Sequence, residues 1–428
     1  MSAIEYSGAL NSAAEQKGLG TAYLRARAMR TLDLLVAFWI FTGGLVLVEP
    51  SPYEFSFLLV LPMAFIAGIG LYRSTLGILA ILMVFIPFAL IASFQVNYAD
   101  FMDAFVFVIV TIFMFLTSYF LANYLAEATL QRTRLIIRAY TGIALICSLI
   151  GILAYLGLIP GADLFVRYGR AKATFKDPNV YGPFLILPAA FALQRVLLAR
   201  GSKSFWAGMV YLVLFVGIFV SFSRAAWGHL AATSLLVMML VFWLEANAHD
   251  KVRIMILSIV GTLGLVVALG GLLSVPAVYQ LFETRTASQK YDGGSTGRFG
   301  RQGYAFDLAL SNPWGIGAGE FHNLRITEEP HDTYVSVLHV YGWGGGAMYY
   351  LFVLATLWRG ISSLRHQSPY RLLMIPVIST FSILVIEAAI IDIDHWRHYY
   401  LVAGMIWGLS TAIRNGPQGS SHRDEALV

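Results

Sequence analysis

A histidine and two arginines stand apart from an otherwise apolar chain as residues that could do chemistry together. His331 lies in Pro330-His331-Asp332-Thr333-Tyr334, where the longest polar interval, from about residue 277 to Asp332, ends at the mouth of an apolar run. An unperturbed imidazole, with a pKa of about 6.5, is mostly neutral near neutral pH and can take a proton from a hydroxyl. The plainer reading is a structural histidine at an interface. Arg224 is the only charged residue between Lys203 and Glu245, in Ser221-Phe222-Ser223-Arg224-Ala225-Ala226-Trp227. A guanidinium near lipid costs about 2.5 to 3.5 kcal/mol on insertion scales, so it needs a partner or a function. Either it snorkels beside Trp227, or it forks onto phosphate oxygens. Arg298 opens a segment inside the long polar interval.

A second cationic stretch precedes the sixth apolar run, with Arg167, Arg170, Lys172 and Lys176 close together. Arg167 and Arg170, three apart, either share a helical face toward an anion or are simply solvated. Asp177-Pro178-Asn179 reads as a turn and helix start, a role that by itself accounts for Asn179 or Asp177. In the long interval, Arg298 to Leu310 has the spacing of a short amphipathic helix lying at the interface, and Asn312-Pro313-Trp314-Gly315-Ile316-Gly317-Ala318-Gly319 breaks it. Alternate glycines here do not make a nucleotide-binding loop, because no strand precedes them. A tight turn that lets backbone approach a ligand is the better reading. His322, His339, His395 and His398 form no metal-ligand spacing with His331, and no His-Glu-x-x-His or Gly-x-Ser-x-Gly occurs. Asp392, Asp394, His395 and Arg397 charge the last outer loop, as counter-charges for the cationic loops.

The elements that must position these residues are membrane helices. Of 428 residues 58% are hydrophobic and 12% charged, far from the balance of a soluble domain. Apolar runs fall at about 32–48, 55–72, 75–94, 103–124, 135–158, 180–198, 205–222, 225–244, 254–276, 333–358, 370–390 and 398–413. Lipid offers the backbone no hydrogen-bond partner, so runs of this length are read as helices. The expected fold is all-α: a polytopic integral membrane protein of about twelve transmembrane helices with a large periplasmic loop between spans nine and ten. The parts are a cytoplasmic tail over 1–31, spans one to nine over 32–276, the loop with its amphipathic helix over 277–332, spans ten to twelve over 333–413, and a tail over 414–428. The single cysteine, Cys147, sits in an apolar run and can form no internal disulfide or zinc site.

Orientation follows from the basic residues. With the N-terminus in the cytoplasm, 18 of the 29 Lys and Arg fall on the cytoplasmic side, and every cytoplasmic segment carries at least one. Exceptions are Arg167, Arg170, Lys172, Lys176, Arg224, Arg285, Lys290, Arg298, Arg301, Arg325 and Arg397. Long loops escape the positive-inside bias, but the short loop before span six and Arg224 do not. Together they predict an outward cationic site for an anionic substrate.

These residues resemble a known family. Arg298, the Asn312-Pro313-x-Gly315-x-Gly317-x-Gly319 turn, Pro330-His331-Asp332-Thr333-Tyr334 and Tyr341-Gly342-Trp343-Gly344 are similar to the signature region of the bacterial O-antigen ligase and polymerase superfamily. Thr174-Phe175-x-Asp177-Pro178-Asn179-x-Tyr181-Gly182 and Phe222-Ser223-Arg224-Ala225-Ala226-Trp227 are also similar to its motifs. The resemblance implies an inverting, metal-independent glycosyltransferase of the inner membrane. It would move a glycan from undecaprenyl diphosphate to an acceptor hydroxyl at the periplasmic face, without a cofactor. Carried over, Arg224 and Arg298 bind the diphosphate and His331 is the general base. The candidate substrate-binding residues around them are Arg167, Arg170, Lys176, Asn179, Arg301 and Tyr334, the first two from charge placement. Asp332 stands where the family often has asparagine. It orients His331, raises its pKa, or merely starts the tenth span. His339 stands where an acidic residue is common.

The acceptor is either lipid A-core, as for a ligase, or a second lipid-linked repeat unit, as for a polymerase; no nucleic-acid partner is expected. From another class, a lipid-linked glycan transporter would need charges at mid-membrane and repeated halves, and neither is visible. A metal-dependent membrane glycosyltransferase would use acids of the first outer loop, where Glu49 and Glu54 show no Asp-x-Asp pattern.

Overall fold

In a computed structural model of the chain, residues 3–286, 294, 297–325 and 328–416 are described. Lys290, Arg423 and most of the expected 414–428 tail lie outside the described residues. Each of the twelve apolar runs overlaps a helix, although the first and second run past the helix ends at Thr42 and Ala67. Seven helices, counted among the described residues, are long and apolar enough to cross a membrane. They are α3 with its leading turn (Arg73–Ser93), α4 (Phe101–Glu127), α5 (Thr129–Tyr155), α6 and α7 together (Pro178–Leu198), α8 (Ser202–Val220), α9 (Arg224–Leu244) and α10 (Ala248–Leu273). The chain is thus a polytopic helical membrane protein. The remaining apolar runs form α1 (Ala3–Thr42), α2 (Pro52–Ala67), α14 (Thr333–Ser363), α15 (Arg371–Glu387) and α16 (Arg397–Asn415). Between α10 and α14 come α11 (Pro276–Thr286), α12 (Arg298–Ser311) and the single turn α13 (Phe321–Leu324).

Two elements depart from one helix per apolar run. The polar tail and the first apolar run form one helix, α1. The sixth run is two helices, α6 (Pro178–Phe184) and α7 (Ile186–Leu198), joined at Leu185 directly after Pro183. A proline inside a helix removes a donor and crowds the preceding turn, which favours such a break.

Contacts between loops sort the bundle into two ends. At one end Arg132, 4% exposed, sits between Asp33 (3.4 Å) and Glu127 (3.0 Å) and donates to the Tyr124 carbonyl. Arg371 pairs with Glu245, and Arg359 donates to the Ser74 carbonyl. At the other end Lys176 meets Glu49 at 2.7 Å, Arg397 meets Glu54 at 2.7 Å, and Arg170 reaches the Ser221 carbonyl at 2.8 Å. All residues named above as candidates lie at this second end. Most of α16 and α15 is buried between these ends, and α10 stands at the periphery with its apolar surface open.

Candidate functional site

Within residues 166–171, the sequence turns back on itself. Val166–Arg167 and Arg170–Ala171 pair antiparallel, with Arg167 opposite Arg170. Tyr168 and Gly169 both have positive φ, 52° and 69°, the backbone of a two-residue hairpin turn that follows the strand twist. The two arginines are therefore cross-strand neighbours and not a helical pair. Their environments also differ. Arg170 is 6% exposed, donates from Nε to the Ser221 carbonyl and from a terminal nitrogen to Asn179 Oδ1 at 2.7 Å. It ties the hairpin to the start of α6 and to the turn before α9. Arg167 is half exposed, 3.7 Å from Asp177 and stacked on Tyr168. Asp177 caps α6 by accepting from the Asn179 amide, so Asp177 starts the helix and leaves the Asn179 carboxamide to Arg170. Lys176 is engaged by Glu49, and Lys172 has its pKa lowered by burial and by the neighbouring Arg167 charge.

Arg224 is the first residue of α9 and is exposed. Ser223 caps the helix by accepting from the Ala226 amide, and Phe222 before it has φ of 45°. The turn that presents Arg224 is thus held by Arg170 from one side and by its own cap from the other. One turn further along, His229 Nδ1 lies 2.6 Å from Glu387 Oε2 at the end of α15. This buried pair links α9 to the end of α15, from which the loop to α16 departs.

That loop meets His331. His331 Nδ1 lies 3.3 Å from Asp392 Oδ2, with the imidazole 38% and the carboxylate 28% exposed. Ser336, on the first turn of α14, donates to the other Asp392 oxygen at 2.9 Å. A carboxylate on Nδ1 holds the ring in one orientation and leaves Nε2 to meet a proton. Of the alternatives for Asp332, the structure selects the helix start: Asp332 caps α14 by accepting from the Tyr334 and Val335 amides. Burial and the Asp392 charge raise its pKa. The orienting carboxylate is Asp392, which sequence reading set aside as a general counter-charge. The signal was its place in a charged loop, but only the packing of α15 against α14 shows which histidine it serves.

His331 itself has φ of 54°. For a residue other than glycine this left-handed backbone costs roughly 1–3 kcal/mol, and it persists only where neighbours over-determine it. The neighbours are specific: Gln302 on α12 donates to the His331 carbonyl at 3.3 Å, and Thr333 bonds the Ala388 and Ile391 carbonyls and the Ile393 amide. Tyr334 donates to the Val385 carbonyl at 2.6 Å, so its hydroxyl is spent on anchoring.

Helix α12 packs one face, Arg301, Ala305 and Ala309, against α14 and leaves Phe299, Phe306 and Leu310 exposed. Arg298 is its first residue and is partly buried; Arg301 is 2% exposed and ion-paired to Glu328. The glycine turn that follows approaches backbone, but that of α14. Gly315 and Gly342 have φ of 83° and 72°, and a side chain at Gly315 would come within 2.6 Å of the Gly342 amide. The Ile316 amide donates to the His339 carbonyl at 2.7 Å, and that of Trp343 to the Pro313 carbonyl at 2.9 Å. The turn thus locks α12, with Arg298, onto the helix that begins beside His331. The close approach expected of this turn is made to the backbone of α14 at Gly342, where that helix is broken.

Glu329 completes the surroundings. Burial and the Asp392 carboxylate raise its pKa, opposed by His322 and His331. Glu49 and Glu54 serve Lys176, Arg397 and the cap at Ser51. No group of three His, Cys, Asp or Glu suited to a metal occurs among the described residues. Two clefts, of about 490 and 480 Å³, open at the other end of the bundle.

A comparison with curated proteins finds no match. Residues 209–350 match a family model described as O-Antigen ligase. The matched stretch runs from within α8 into α14 and contains Arg224, Arg298 and His331, while Arg170, Asn179 and Asp392 fall outside it. Over this third of its length, the stretch that carries the histidine and both arginines, the chain is similar to the O-antigen ligase family.

Proposed function

We propose that this protein is an inverting, metal-independent glycosyltransferase of surface polysaccharide biosynthesis, moving a glycan from undecaprenyl diphosphate to an acceptor hydroxyl at the periplasmic face of the bacterial inner membrane. The observation that carries the reading is the His331–Asp392 pair, part-exposed at the end of the bundle that also bears Arg224 and Arg298. Support comes from the O-antigen ligase match over the segment containing these three cationic or basic side chains.

In this reading His331 Nε2 takes the proton of the acceptor hydroxyl while Asp392 holds Nδ1. The acceptor oxygen attacks the anomeric carbon from the face opposite the diphosphate. The bond from that carbon to the diphosphate oxygen breaks, and the electron pair leaves with the diphosphate. Arg224 and Arg298 neutralise the charge that grows on it. Arg170 with Asn179 acts by setting the Arg224 turn, and Arg167 and Lys176 lie near enough on the same end to attract an anionic donor. Inversion follows from a single displacement.

The acceptor we favour is lipid A-core, the ligase type. The test is transfer in vitro by the purified chain from an undecaprenyl-diphosphate glycan, with lipid A-core or a second lipid-linked repeat offered separately and with chelator present. Product on lipid A-core supports the proposal. Product only on the second repeat makes the protein a polymerase, and no transfer to either acceptor rejects the enzymatic reading. Loss of all transfer with chelator rejects metal independence.

A further inference from the structure

The end of the bundle opposite His331 holds a feature that glycan transfer does not use. Between α5, α7 and α8 runs a cleft of about 480 Å³. Arg138, Arg195 and Lys203 line it, together with Leu145, Phe191, Trp206 and other apolar side chains. Its lining includes no Asp or Glu. The neighbouring cations at this end are satisfied within the protein: Arg132 by Asp33 and Glu127, Arg200 by Asp250, Arg371 by Glu245. Among the described residues, Arg138, Arg195 and Lys203 form no such ion pair. Three cations, one from each of three helices, line one cleft whose remaining lining is largely apolar. Arg138 and Lys203 are exposed and Trp206 is 67% exposed, the arrangement of side chains that sit at a headgroup boundary.

We propose that this cleft binds an anionic phospholipid, the phosphodiester held by Arg138, Arg195 and Lys203 and an acyl chain laid along Leu145 and Phe191. Charge complementarity selects the headgroup, since basic pockets between membrane helices on the cytoplasmic side suit anionic lipids. The apolar lining selects a lipid over free phosphate, which has nothing to bury there. The cleft's volume lies within the range of small-molecule sites. This inference is independent of the chemistry at His331.

Native mass spectrometry of the full chain, purified in detergent and titrated with phosphatidylglycerol or with phosphatidylcholine of the same acyl chains, tests it. Phosphatidylglycerol is expected to bind the more tightly, and millimolar inorganic phosphate not to displace it. Removing one cation, as in Arg138→Gln or Lys203→Gln, should weaken phosphatidylglycerol about fivefold, and removing all three about a hundredfold, with phosphatidylcholine unchanged. Trp206→Glu, at an exposed position, places a repelling carboxylate beside the headgroup and should weaken the same lipid without disturbing the fold. Equal binding of the two lipids by the unaltered chain, unchanged phosphatidylglycerol binding in the triple variant, or displacement by phosphate would each overturn the proposal.

Discussion

The two ends of the helix bundle use the same charged residue types in opposite ways. At the end expected in the cytoplasm, Arg132 is nearly inaccessible and faces two carboxylates, a carbonyl and the ring of Tyr124. It joins α1, α4 and α5. At the other end His331 and Asp392 are part-exposed, and their pairing leaves a ring nitrogen for something from outside. Backbone strain follows the same division. The positive-φ residues other than glycine among the described ones are Tyr168, Ala173, Phe222 and His331, and all lie at this second end. Each costs free energy that a purely structural end avoids, and three of them sit at or beside a candidate residue. One end is closed by its own ion pairs, while the other holds part-exposed groups on strained backbone.

The largest effect expected is at His331. His331→Ala should lower glycan transfer by about 10² to 10⁴ with the thermal midpoint retained, whereas Arg132→Ala should cost about 3–5 kcal/mol of stability and leave the rate per folded molecule unchanged. Transfer assays paired with thermal unfolding in detergent separate the two; a His331 variant that transfers normally breaks the comparison. Next come Arg224→Ala and Arg298→Ala, each lowering turnover by about 10² to 10³ if it neutralises the leaving diphosphate. A change confined to the apparent affinity for donor would instead mean ground-state binding only.

A sharper pair of variants addresses the two aspartates near His331. Asp392→Asn should cost about 10- to 100-fold in turnover through misplacement of the imidazole. Asp332→Asn should be close to neutral, because asparagine caps a helix as well as aspartate does. Equal effects in steady-state assays would remove the distinction between orienting and capping. The smallest effect concerns Glu329, whose pKa is raised by burial and by Asp392. A raised carboxyl pKa means stability that is complete below the ordinary glutamate range and lost as pH rises through the folded value. Glu329→Gln should therefore raise the thermal midpoint slightly near neutral pH, and the gain should vanish in mild acid. The side chain is still 43% exposed, so solvent screening keeps the effect on stability small.

Much of the helical framework was legible because lipid forces each apolar run to satisfy its own backbone hydrogen bonds. The short amphipathic helix was legible too, from the apolar residues Phe299, Tyr304, Ala305, Phe306, Leu308 and Leu310. Arg167 and Arg170 were not: three residues apart fits a helix as well as a hairpin, and the left-handed backbone at Tyr168 and Gly169 decides for the hairpin. The glycine turn was recognised as a place of close approach, but sequence spacing carries no information on what approaches. Asp392 is 61 residues from His331, and no local pattern connects them.

By itself, then, the sequence determined a membrane-embedded all-helical chain, its basic bias toward one side, and the histidine and arginines left stranded on the other, because hydropathy and charge act locally along the chain. Only tertiary structure decided that Asp392 and not Asp332 meets His331, that Arg170 holds the turn before Arg224, and that α12 is locked to α14. Those are contacts between distant segments, set by how helices pack, and packing depends on surfaces that exist only once the helices have assembled.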